Sequence, residues 1–582
     1  KFYIFTDKRY ELTAKLPLNW EYNWHSVLCE YDGKFMSISV DNIELAEMPA
    51  NGHIKNLPFP VNIGRNSETQ GCDINVAICD AMIDNVAIFD KIYSANGLSK
   101  ENSVLWLDFE NENSSGTFYS YGIGARTYGS IWPDRKPQPE MWQMRKSAQP
   151  VDFSWIDNNG NFIVEIWNKH SFIELDKYLV EWFLTEDCKI VQRGIVDENI
   201  APLHKKNVAI PISIPEIKDN VEYRLEFKVS LKSKEIWADK GHIVAWEQLD
   251  LPWHRDIVLP MQCGNHNLNC VDTDTCLWVE GDGFKYGFSK GTGRLFSLYI
   301  NNEEVIKSDV DFNVWRAPLA NELDDWAAWG EDRTGWKKEY GMRTVNEQYS
   351  FGIDKLKDIM VFFDYNKGND VVNIYSRSYK LSPDESYGKL DKYISGVQIN
   401  GFENIYRYCV KNTGEIDINH MIVPQGRLPR WLMRIGLTME IDSTYNNILW
   451  YGRGPQENYP DRKTGYPVGQ YSSNVNDMYE PYLIPQDYGL RCDNRWLMIK
   501  NKSGRGLKIS MNELFNFNVY PFSTDNLTKS LYTYQLKKSK NVTLNLDYAT
   551  SGVGCTCRSI MLPYKVPVTK YERSIKILPL NK

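Results

Sequence analysis

No apolar run in this sequence approaches the roughly 18 residues needed to span a bilayer, and its opening residues carry no charged start, apolar middle and small-residue cleavage site. The expectation is a soluble chain with no membrane partner. A cationic surplus is also lacking: 67 Lys and Arg stand against 75 Asp and Glu, a formal charge of −8, which argues against nucleic acid as a partner. Histidine is scarce, eight residues scattered singly. No Gly-rich phosphate loop, short zinc-ligand pair or Ser/His/Asp grouping accompanies them, so nucleotide, structural-zinc and triad chemistries lose their usual footing. Cysteine is modest and odd in number, at eleven. Cys263, Cys270 and Cys276 are spaced too loosely for a zinc site, Cys555 and Cys557 stand one residue apart, and buried free thiols are the expectation.

Alanine-rich and leucine-rich helical runs are almost absent, while aromatics reach 13%, with 19 Trp and 35 Tyr. That composition reads as all-β, and 582 residues are enough for three or four domains. Near the start, Met36, Ile38 and Val40 alternate with Ser37, Ser39 and Asp41, the period of a half-buried strand, with a turn at Asp41-Asn42. Together with VNIGRN at 61–66 and MIDNVAIFDKIYS at 82–94, this region resembles the second half of a laminin-G-like, concanavalin-type jelly roll, taken as residues 1–117. Half a sandwich would leave an unmatched apolar face. The polypeptide is therefore expected to extend upstream, and the chain to be a fragment or processed piece. Between 149 and 250 alternation is clean: Phe162, Val164, Ile166; Tyr178, Val180, Trp182, Leu184; Tyr223, Leu225, Phe227, Val229. Asn158-Asn159-Gly160 offers a hairpin turn that tolerates positive φ, and the spacing predicts an immunoglobulin-like sandwich. From 251 to 582 a last large unit opens with the hairpin of Phe284, Tyr286 and Phe288 turning at Gly-Thr-Gly. One notable helix is predicted from Glu322 to Tyr340.

The segment from Trp450 through Arg495 is the densest in committed chemistry. Its GPQENYPDR core and NDMYEPYLIP…YGLRC run resemble the C-terminal, non-catalytic β-domain of family 2 glycoside hydrolases of the β-galactosidase type. RAPLANELDDWAAW at 316–329 and WADKGHIVAWEQLDLP fit the same resemblance. It implies that residues 118–148 are a strap leading out of a catalytic barrel, and that 251–582 are the family's large sandwich, a mutarotase-like supersandwich. It also implies a retaining mechanism with two carboxylates about 5 to 5.5 Å apart at strand ends of a (β/α)8 barrel. The βαβα alternation of a barrel is missing from this sequence, so catalytic residues on this chain are expected to be none. Two carboxylates imitate the family's catalytic motifs. Glu30, in Leu28-Cys29-Glu30-Tyr31, runs into an Asp32-Gly33-Lys34 turn and reads as a jelly-roll strand. Glu322, after Asn321, reads as a solvated or helix-initiating acidic loop.

Arg453, Glu457, Asp461 and Arg462 put two cations and two anions within ten residues, among Gly452, Gly454, Pro455 and Pro460. A self-satisfied network holding a long loop needs that composition. Tyr451, Tyr459, Tyr479 and Tyr482 crowd the same region and are read as core rather than sugar platforms. The resemblance further implies substrate-side contacts from Arg126 and Tyr128 in the strap. It also implies contacts from a loop near the end, where SGVGCTCRSIMLP has no aromatic and Ser559 is the candidate. No cofactor is expected on this chain; a divalent cation belongs, by the same resemblance, to the barrel. Expected partners are a β-galactoside-like carbohydrate and the barrel, on upstream sequence or a partner chain, and a homo-oligomer is compatible with the family. The function expected is support and partial lining of a β-galactosidase-type active site. Two alternatives stand beside it: a carbohydrate-binding or scaffolding protein without hydrolase activity, and sugar epimerisation. The last requires a His and a carboxylate in one cleft, and His254, His266 and His420 are the histidines of the large unit.

Overall fold

The computed structural model describes every residue except 19, 22, 56–62, 64–82, 94–97, 109–128, 133, 254–266, 324–342, 384–398, 484, 531–532, 555–559 and 582. The chain divides into two units, Lys1–Ala125 and Arg126–Lys582.

In the first unit the strands Val27–Tyr31, Phe35–Val40 and Ile43–Pro49 form an antiparallel meander. Met36, Ile38 and Val40 are buried, because the two-residue side-chain period puts them on one face. The turn at Asp41 and Asn42 has φ of 52° and 65°, the paired left-handed geometry of a tight hairpin. A second hairpin, Phe2–Phe5 with Arg9–Leu12, adds Ile4 and Leu12 to this small core.

The second unit begins with a helix, Pro139–Ser147, which has proline in its first turn, where the missing N–H costs nothing. A two-sheet sandwich follows. One sheet orders Lys189–Ile195, Tyr178–Glu186, Tyr223–Leu231 and Ile243–Asp250; the other orders Lys205–Ala209, Ile163–Asn168 and Val151–Asp157. Val164, Ile166, Val180, Trp182, Leu184, Leu225, Phe227 and Val229 fill its centre. The hairpin turn expected at Asn158-Asn159-Gly160 joins the antiparallel strands Val151–Asp157 and Ile163–Asn168, with no positive φ at those three residues. Phe162 carries it instead, at 47°, while the Asp157 carboxylate accepts the N–H groups of Asn159 (2.9 Å) and Asn161 (3.3 Å), an Asx-type closure that leaves the intervening residues unstrained.

Among the described residues, seventeen strands from Asn269–Asp272 to Tyr571–Leu580 make one hydrogen-bonded sheet. It folds back on itself: Arg434–Asp442 pairs with Asn541–Thr550, and Ile416–Gln425 with Tyr571–Leu580. Phe288, Phe312, Tyr406, Trp450, Phe517 and Ile577 share its core. Of the helix expected from Glu322 to Tyr340, Glu322 and Leu323 lie in a short helix, Ala320–Leu323, and the remainder lies outside the described residues; a separate helix runs Arg343–Ser350. The described cysteines are free, but Cys492 alone among them is buried and Cys29 is exposed. Their strands place Cys270, Cys276 and Cys409 at partly covered positions rather than in the core.

Candidate functional site

The loop from Arg453 to Tyr466 leaves the strand Asn447–Arg453 and runs over one end of the large sheet. Glu457 is its pivot. One carboxylate oxygen accepts from Arg462 Nη2 at 2.6 Å and from the Tyr482 hydroxyl at 2.7 Å, and the other accepts the Gly489 N–H at 2.6 Å. Arg462 then reaches Glu140 on the Pro139–Ser147 helix with its second nitrogen. The helix is gripped at two more points. Gln143 accepts the Gly465 N–H at 2.8 Å and donates to the Thr464 hydroxyl at 2.8 Å, and the Tyr466 hydroxyl donates to the Pro139 carbonyl.

Arg453 and Asp461 work differently from the closed network expected of them. Arg453 pairs with Asp493 at 2.6 Å and donates to the carbonyls of Lys463 and Tyr466, holding the loop's base. Asp461 meets no cation in its own loop. Its two oxygens accept the N–H groups of Val553 (3.0 Å) and Gly554 (2.8 Å), close beneath Gly552. The same segment is held from the other side: Arg316 donates to the carbonyls of Ser551 and Gly552 at 2.9 Å each, and Asn321 donates to that of Val553 at 3.1 Å. Residues 551–554 directly precede 555–559 in the sequence.

Glu322, read as part of a solvated or helix-initiating acidic loop, is not solvated and lies in the short helix Ala320–Leu323. It is fully buried, 2.7 Å from Arg316, and its other oxygen accepts the Leu319 N–H at 2.8 Å. A guanidinium desolvated to hold two carbonyls needs a counter-charge in the same place, which draws the carboxylate inward. Tyr459 donates to Asp487 at 3.0 Å, and Asp487 also accepts from Asn518 at 2.8 Å.

Burial dominates the titration of this cluster. It raises Glu457, against the pull of Arg462 and the Gly489 N–H. Glu480 is pushed up to about 8, first by burial and then by the neighbouring Glu457 charge. The Tyr482 hydroxyl is held far above its usual range by burial and by the same carboxylate. Arg491 is pulled below the usual arginine range by burial, with Glu457 and Glu480 opposing.

Arg126, Tyr128 and Ser559, the expected substrate-side residues, lie outside the described residues, as do His254 and His266. Glu30 sits on the strand Val27–Tyr31 opposite Ser37. Tyr451 and Tyr459 are buried, while Tyr479 and Tyr482 are partly covered and pack beside Tyr488 and Phe522. His420 is buried between Tyr548 (2.8 Å) and Asn404 (3.0 Å) and stacks on Tyr406; burial lowers it well below the usual histidine range. Its two ring nitrogens thus face a phenol and an amide, and the His and carboxylate pair required for epimerisation is not formed there. Among the described residues no group of three or more His, Cys, Asp or Glu is placed to hold a metal ion. Sequence reading missed Glu140, Arg316, Asp487 and Arg491. Arg316 and Asp487 lie within stretches already conspicuous in the sequence, but nothing local marks Glu140.

A family model described as the β-galactosidase small chain matches residues 280–577, and one described as β-galactosidase domain 4 matches 164–252. A β-galactosidase of Priestia megaterium is 28% identical over 450 residues, covering 77% of this chain and 39% of that protein. β-Galactosidase 2 of Enterobacter cloacae is 27% identical over 427 residues, covering 73% and 38%. The chain thus spans about two-fifths of the length of these relatives. Among solved structures, galactose 1-epimerase of Lactobacillus acidophilus aligns over 54% of this chain and 99% of its own, with a TM-score of 0.31 and 8% identity. The first family model spans just over half of the sequence and coincides with the large folded-back sheet, so the chain belongs to the β-galactosidase small chain family.

Proposed function

We propose that this chain is the non-catalytic β-sandwich portion of a retaining glycoside hydrolase of the β-galactosidase type, supporting and partly lining the active site of a (β/α)8 barrel carried on other polypeptide. In this reading the two carboxylates of the double displacement, one nucleophile and one acid then base, belong to the barrel. Arg126, Tyr128 and Ser559 approach the sugar from this chain. The substrate is a β-galactoside, and any divalent cation belongs to the barrel.

The observation that carries this reading is the engagement of the buried glutamates. Glu457 has one oxygen on Arg462 and Tyr482 and the other on Gly489 N–H. Glu322 has one on Arg316 and the other on Leu319 N–H. A nucleophile or proton donor must face its substrate with an oxygen; these oxygens face loops. They act as braces that fix the strap helix and the segment before 555–559, and catalysis depends on such placement at the ångström scale.

The test is hydrolysis of a nitrophenyl β-galactoside by the chain alone and after addition of the barrel-bearing polypeptide. No turnover alone and turnover on reconstitution are expected. Hydrolysis by the chain alone that disappears in Glu30→Gln would overturn the reading.

A further inference from the structure

On the outer face of the large sheet, away from the braced loops, lies a groove of about 590 Å³, within the range of small-ligand sites. Its floor is five neighbouring strands: Val371–Leu381, Gly401–Lys411, Ile416–Gln425, Tyr571–Leu580 and Gly506–Tyr520. Inward residues such as Ile374, Tyr406, Tyr408 and Ile418 are buried in the core, so by the two-residue period their neighbours face the groove. Register lines these up in rows across the strands. One row runs Tyr375, Arg407, Asn419, Ser574, each directly opposite the next. Three strand spacings give such a row a length of roughly 14 Å, enough for a short oligosaccharide.

Of the charged residues that line the groove, Asp417 and Lys576 are neutralised and Arg407 is the exception. Asp417 lies between Lys411 at 2.7 Å and Lys576 at 3.3 Å, and Glu415 meets the same two lysines. Arg573 pairs with Glu513 at 2.8 Å. Arg407 is exposed and, among the described residues, has no carboxylate on its guanidinium. Beside it the Tyr375 ring is 42% exposed. A neutral ligand covering Arg407 would strip its water and supply no counter-charge, which is unfavourable; an anion fits the planar fork with two parallel hydrogen bonds. The exposed tyrosine ring offers an apolar face to the C–H side of a pyranose, and the amide of Asn419, which donates one N–H to Glu572 at 3.2 Å, keeps its oxygen and second N–H for hydroxyls.

We propose that this groove binds an acidic glycan, with the carboxylate or sulfate of one sugar on Arg407 and the adjoining ring over Tyr375. The site is separate from the braced loops and does not depend on the chain's supporting a hydrolase. The test is calorimetric titration of the 582-residue chain with trigalacturonate, with a sulfated galactan oligosaccharide and with neutral galactotriose. Binding of at least one acidic probe is expected, and which one binds identifies the acid group. That binding should weaken about tenfold in Arg407→Gln, less in Arg407→Lys, and about fivefold in Tyr375→Ala, with unchanged melting temperatures. It should also weaken as salt rises from roughly 50 to 500 mM. Failure of both acidic probes to bind at millimolar concentration, equal binding of galactotriose, or wild-type affinity in Arg407→Gln would each overturn the proposal.

Discussion

Glu457 concentrates the consequences of a single side chain. Replacing it with Gln puts an amide N–H₂ either where Arg462 and Tyr482 both donate or where the Gly489 N–H does, and removes the charge that balances a buried guanidinium. Breaking a buried pair by deleting one partner costs about 3–5 kcal/mol. Glu457→Gln is therefore expected to lower the unfolding free energy by an amount of that order, read as a lower denaturant midpoint at unchanged slope by tryptophan fluorescence. A midpoint equal to wild type would mean the pair contributes no net stability. Glu480 makes a different prediction. Its folded-state pKa, raised to about 8, exceeds the ordinary glutamate value, so the folded form holds a proton that the unfolded form releases. Its contribution is fully present below about pH 4.5 and is lost as pH rises toward 8. Glu480→Gln should thus remain level with wild type near pH 4.5 and become the more stable protein by a few kcal/mol, to order of magnitude, at pH 9. Parallel pH curves for the two proteins would exclude the shift. The loop's mixed charges announced a need for partners before any coordinates, but not which partners they take. Arg462 and Glu140 stand 322 positions apart, and Arg453 and Asp493 stand 40 apart; composition shows that charges need partners without showing which fold-distant residues supply them.

Strands read far better than the segments between them. The alternation of Val180, Trp182 and Leu184, or of Phe284, Tyr286 and Phe288, maps directly onto buried positions, because a period of two is a property of the backbone itself. Connections depend on tertiary partners. The Asp157 carboxylate closes the turn assigned to Asn158-Asn159-Gly160, and Arg316 draws Glu322 out of solvent. The sharpest element-scale test concerns the approach to 555–559. A Cβ on Gly552 would lie 2.3 Å from the Asp461 Cγ and Oδ2, so Gly552→Ala must displace the carboxylate that holds Val553 and Gly554. The expected loss is about 1–3 kcal/mol, with amide exchange of residues 553 and 554 accelerated at least several-fold, read by hydrogen exchange with mass spectrometry. Asp461→Asn retains the shape and one acceptor and should fall between the two. Unchanged exchange in Gly552→Ala would show that Arg316 and Asn321 suffice to hold the segment.

Within Arg126–Lys582 the smaller sandwich, the strap helix and the large sheet are tied at shared points. Arg224 of the smaller sandwich donates to the Tyr451 hydroxyl at 3.0 Å, Tyr451 reaches Glu222 at 3.0 Å, and Glu222 accepts from Arg495 at 2.8 Å. The Gln248 side chain clasps Val468, accepting its N–H at 2.7 Å and donating to its carbonyl at 3.0 Å. The strap helix joins both bodies: Lys146 pairs with Glu247 at 2.9 Å, while Glu140 and Gln143 hold the 462–466 stretch. Three ties across one boundary make separate unfolding costly, because each would leave polar or charged groups whose partners stay behind in the other body. Calorimetry is therefore expected to show one transition for the two sandwiches together. Arg224→Met combined with Gln248→Ala removes the Val468 clasp and the Arg224–Tyr451 bond while leaving Glu222 on Arg495 and the helix in place, and it should split off a lower transition for the smaller sandwich by weakening the boundary about 2–4 kcal/mol. Adding Glu140→Gln, which loosens the third, should widen the separation. If the triple variant still melts in one step, cooperativity resides in apolar contacts beneath these polar ties, and the strap is a passenger on the sandwiches rather than the wedge that joins them.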